Sequence, residues 1–152
     1  MSTLSPERTE VVIRYGRRAL AVGLAWLGVL GICLALQVFD AEGTFTAMSN
    51  NLLKFLPIGL PIVVAALQAT LKGRGFTIKD PDVLAVMKDE FRCANLNKAI
   101  RYAFFTVFIL QLPLGLAVRN HPTPVALAFM GGFTVLLGVM ALMAFFLFFD
   151  RD

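Results

Sequence analysis

Charged side chains are scarce in this chain: 16% of its 152 residues are Asp, Glu, Lys or Arg, where a soluble domain carries about 25%. So little charge excludes a disordered chain and a coiled coil, which both depend on charge to stay solvated. Cysteine is nearly absent, with Cys33 and Cys93 alone, so a disulfide scaffold is excluded. Neither belongs to a Cys-x-x-Cys pair, which removes thiol oxidoreductase chemistry. The single histidine, His121, falls short of the donors that a zinc or haem site requires. Gly73-x-Gly75 lacks both the following spacing and the strand-to-helix setting of a phosphate-binding loop.

What the chain has instead is apolar surface. Hydrophobic residues make up 58% of it and its mean hydropathy is +0.76, which excludes a water-soluble globule. A helix crossing the ~30 Å hydrocarbon core needs about 20 mostly apolar residues. Four runs qualify, at about 19–39, 52–71, 102–118 and 122–149. The second holds Lys54 in its first turn, where a long side chain snorkels to the headgroups. Continuous runs argue against β-barrel strands, which alternate over short segments.

Basic residues orient the spans. Twelve of the 14 Lys and Arg lie in the N-terminal tail, in the segment from Lys72 to Arg101, or at Arg151; only Lys54 and Arg119 fall on the other side. Both termini and the middle segment are therefore expected in the cytoplasm, and the fold class is an all-α integral membrane protein whose four transmembrane helices form two hairpins. Residues 1–152 make one membrane domain. The first apolar run exceeds the 7 to 15 residues of a signal-peptide core, so it reads as a retained anchor, most simply in a bacterial inner membrane. The net charge of +4 follows from this distribution, and no nucleic-acid partner is implied.

The outer loops are short, so the segment of substance outside the bilayer is the middle one. Asp80-Pro81-Asp82 marks a helix start. Beyond it Val83, Val86, Met87, Phe91 and Ala94 recur at helical spacing opposite Lys88, Asp89, Arg92 and Asn95. An amphipathic cytoplasmic helix over about 82–101 is expected, continuous with the third span because no breaker intervenes. Val83, Met87, Phe91 and Ala94 form its candidate partner-docking face.

No ionisable residue lies near the middle of any span, and such a residue is the usual mark of ion-coupled transport or intramembrane acid–base catalysis. Polar amides and helix breakers remain. Gln111 sits mid-span two residues before Pro113, which has no N–H for the carbonyl of Ile109. Together with Pro57, Pro61 and Gln68 of the second span it forms the candidate polar membrane site, read either as a lined pathway or as interhelical hydrogen bonding with kinks. Small residues mark the close-packing faces: Ala21, Ala25, Gly28 and Ala35 on the first span, and Gly131, Thr134, Gly138 and Ala141 on the fourth.

These features lead to a non-enzymatic integral membrane subunit, an accessory, assembly or regulatory partner of a larger complex. The alternative is a small oligomeric channel or transporter. The expected partners are the lipid bilayer and other membrane subunits or further copies of the chain, with no cofactor.

Overall fold

The structure, a computed structural model, describes residues 6–39, 49–54, 61, 65, 68, 69, 72, 81–119 and 124–150. The described residues are all-α and almost entirely helical. Its elements are α1 (Pro6–Phe39), α2 (Pro81–Met87), α3 (Glu90–Val118) and α4 (Pro124–Phe149). Three of these, α1, α3 and α4, are long and apolar enough to cross a membrane. Most of the expected second span lies outside the described residues, although residues 51–54, 61, 65, 68, 69 and 72 are helical.

Each long helix begins where local chemistry permits. Pro6 and Pro124 stand at first helical positions, where a missing N–H costs nothing and the fixed φ suits the helix. Helix α1 starts well before the first apolar run because charged residues do not stop a helix. Glu10 and Arg14 pair one turn apart at 2.6 Å and support it. Its 34 residues reach about 51 Å at 1.5 Å per residue, so its first turns stand beyond a ~30 Å hydrocarbon core.

The stretch from 82 to 118 is two helices rather than the single one expected. Lys88 N–H donates to the carbonyls of Leu84 and Ala85, at 3.0 and 3.2 Å, closing α2. Asp89 then takes φ −59°, ψ 125° and its carboxylate accepts from Phe91 N–H at 3.4 Å, the N-cap of α3. An acid followed by Glu90 in the first turn suits a helix start, and this local preference outweighs the continuing apolar period. Helix α3 then runs unbroken through Pro113.

Helix α4 lies between α1 and α3, whose backbones do not closely approach each other among the described residues. It runs antiparallel to α1: ideal Cβ atoms built on Gly23, Gly28 and Gly31 meet Met143, Met140 and Leu136, respectively. The starts of α1 and α3 and the end of α4 thus share one end of the bundle, the basal end. At the far end Val38, Val118, Ala126 and Phe129 are buried together, backed by Leu34, Ala35, Leu114, Met130 and Phe133. Phe129 is the centre of that cluster, edge-on to Phe39 and stacked on Phe133. Much of the remaining apolar surface of α3 faces outward, Leu112 at 76% exposure among it, as suits a helix solvated by lipid.

Candidate functional site

Polar side chains are few, so their placement decides what the bundle can do. In the second half of α3, Gln111 Nε2 donates to Thr134 Oγ1 of α4 at 2.6 Å. Thr134 Oγ1 in turn donates to the carbonyl of Met130 at 2.7 Å. A polar relay thus joins two apolar helices, the kind of contact by which membrane helices use amides for association. Pro57 lies outside the described residues, while Pro61 and Gln68 are exposed. Gln37, late in α1, donates to Asn50 Oδ1 in the helical residues that follow the first loop.

The densest group of interactions is at the basal end, where α3 begins and α4 stops. The last carbonyls of a helix have no intrahelical partner, and its C-terminus carries partial negative charge. Asn95 Nδ2 donates to the carbonyl of Phe149 at 3.0 Å, satisfying one of them. Arg92 donates from Nε and Nη2 to the two carboxylate oxygens of Asp150, at 2.9 and 2.8 Å. This fork-to-carboxylate geometry is the strongest form of ion pair, and the pair's side chains are only 16% and 5% exposed. Arg92 also lies over the Phe146 ring, and Lys98 Nζ stands 4.5 Å from the Phe149 ring centroid. Tyr102 packs on Phe145 and Phe149 with centroids 5.5 and 5.4 Å away. The C-terminal phenylalanines of α4 therefore form one wall of a joint whose other wall is cationic and aromatic.

The expected docking residues are divided by the break at Lys88–Asp89. Val86 of α2 is buried and Val83 half-buried, and α2 packs on α1. Phe91 and Ala94, across the break, are exposed, Phe91 at 58%. The side chain of Met87 lies outside the described residues.

The small-residue faces are offset from the expected ones. Gly28 does lie against α4, its built Cβ 3.9 Å from Met140 Cε, but Ala21 and Ala25 are exposed. The tightest approach is at Gly31, where a built Cβ comes within 3.1 Å of Leu136 Cδ2. Gly138 faces α3 instead of α1, 3.5 Å from Val107 Cγ2, and Gly131 has nothing within 4 Å. Gly31 and Gly23 carried a readable signal, since glycines repeat along α1; Arg92, Asn95 and Asp150 carried almost none, because their meeting depends on which helix ends adjoin.

Among the described residues no group of three or more His, Cys, Asp or Glu side chains is placed to hold a metal. No family model, curated protein or solved structure matches the chain.

Proposed function

We propose that the chain is a non-enzymatic integral membrane subunit that serves a larger complex as an accessory, assembly or regulatory partner. One observation carries this reading: the Phe91 ring is 58% exposed at the basal end, while the neighbouring apolar side of α2 is already covered by α1. Helix α3 has 29 residues, about 44 Å at 1.5 Å per residue, so its first turns extend past the hydrocarbon. An aromatic ring open outside lipid fits the anchor position of a protein interface.

The polar groups support the same reading. Arg92, Asp150, Gln111, Thr134, Gln37 and Asn50 are engaged with one another in pairs, and such pairing holds helices together rather than presenting groups to a substrate. In this reading four spans form two hairpins, the basal end and both termini are cytoplasmic, and the membrane is a bacterial inner membrane. The channel alternative asks Gln111 to face a pathway, whereas one N–H of its amide is engaged by Thr134 of the neighbouring helix.

The test is co-purification in mild detergent with Phe91→Asp and Met87→Asp. A membrane partner recovered with the parent chain is expected to be lost with the double variant while insertion is unchanged. Equal recovery of that partner from both would overturn the reading.

A further inference from the structure

The face of α1 that lies against α4 deeper in the bundle continues to the basal end, where α4 has stopped. There Glu10, Ile13, Arg14, Arg17, Arg18 and Ala21, spaced three and four apart on that face, line an open recess of about 430 Å³ together with Leu147 of α4. Three arginines stand against one glutamate. Glu10 is taken by Arg14, at 2.6 Å, whereas Arg17 and Arg18 have no counter-charge among the described residues.

Position and lining both constrain what such a recess takes. Arg18 is the last charge before the uncharged run from Ala19 to Phe39, so the recess straddles the boundary between headgroups and hydrocarbon. Its basic rim is made of guanidinium forks, which match a phosphate bidentately. Its apolar floor, Ile13, Ala21 and Leu147, offers nothing to a small hydrated anion but suits the first methylenes of an acyl chain.

We infer that this recess is a binding site for an anionic phospholipid, with the headgroup phosphate held by Arg17 and Arg18 and an acyl chain descending past Ala21 and Leu147. The site is independent of any protein partner. It differs from the general attraction of a basic segment to a charged leaflet, which falls on all exposed cations alike.

The test uses the full chain in mixed micelles of phosphatidylglycerol and phosphatidylcholine, with retained lipid counted by native mass spectrometry. The parent chain is expected to retain phosphatidylglycerol selectively. Arg17→Gln with Arg18→Gln should reduce that retention about tenfold or more. Leu147→Trp, which fills the recess without changing charge, should reduce it too and keeps the question open to refutation if the double variant fails to fold. Lys88→Gln with Arg101→Gln, which removes the same charge from exposed positions elsewhere, should leave it unchanged. Full retention after filling the recess, an equal loss in the Lys88 and Arg101 variant, or complete displacement of the lipid by inorganic phosphate would each overturn the assignment.

Discussion

Arg92 and Asp150 meet end to end across the start of α3 and the end of α4, two parallel N–H···O bonds of 2.9 and 2.8 Å joining residues 58 positions apart. Removing one member of a buried pair strands the other charge, at a cost of about 3 to 5 kcal/mol. Asp150→Asn is therefore expected to lower the unfolding midpoint in detergent clearly. Glu10→Gln breaks a pair whose side chains are 63% and 70% exposed and should cost less than about 1 kcal/mol. Thermal unfolding followed by circular dichroism compares the two; equal effects would show that the Arg92 joint is not closed to solvent.

At mid-helix the expectation is smaller. Gln111→Leu and Thr134→Val each remove the interhelical bond, which averages about 0.6 kcal/mol in membrane proteins. Because both delete the same contact, the double variant should lose less than the sum of the singles. Additive losses, measured by denaturation in mixed micelles, would mean the two side chains do not bond.

Glycines on the two middle faces should respond in opposite directions. A Cβ on Gly31 already comes within 3.1 Å of Leu136 Cδ2, so Gly31→Val should destabilise by about 1 to 3 kcal/mol through overpacking. Gly131 has open space around it, and Gly131→Ala should stabilise the helix by up to about 1 kcal/mol. The ranking of unfolding midpoints checks both at once.

Orientation is accessible through the two cysteines. Cys93 is exposed near the basal end and Cys33 is buried within α1. A membrane-impermeant maleimide should label Cys93 in inside-out vesicles and leave it untouched in right-side-out ones, with Cys33 unreacted in both. The reverse pattern would place the basal end outside.

The long helices were legible because an unbroken apolar run has one solution in lipid. Their extents were less so. A hydropathy scan stops at Arg18, while the helix continues back to Pro6 through residues that are polar yet good helix formers. The break before Glu90 was hidden for a related reason: Lys88 and Asp89 fit the polar face of an uninterrupted helix, and only the Asp89 carboxylate turning to Phe91 N–H separates a cap from a continuing turn. Among candidate site residues, Gln111 was visible as a lone amide mid-span, but its partner Thr134 was weighed only as a small residue. Arg92 was read as one basic residue of an orientation count and of a polar helix face, and Asp150 only ends the fourth apolar run, since nothing in their spacing announces that two helix ends adjoin.

The central position of α4 bears on how the bundle is made. The backbones of α1 and α3 do not closely approach each other among the described residues, and both lean on a helix that follows them in the chain. Among the described residues, α1 and α3 therefore gain their common support only through α4. The packing of these helices depends on α4, which places Met140 and Leu136 beside Gly28 and Gly31 and Asp150 beside Arg92. Without α4, the Gly28–Gly31 face of α1 and the Arg92 guanidinium of α3 both lose the partner that covers them.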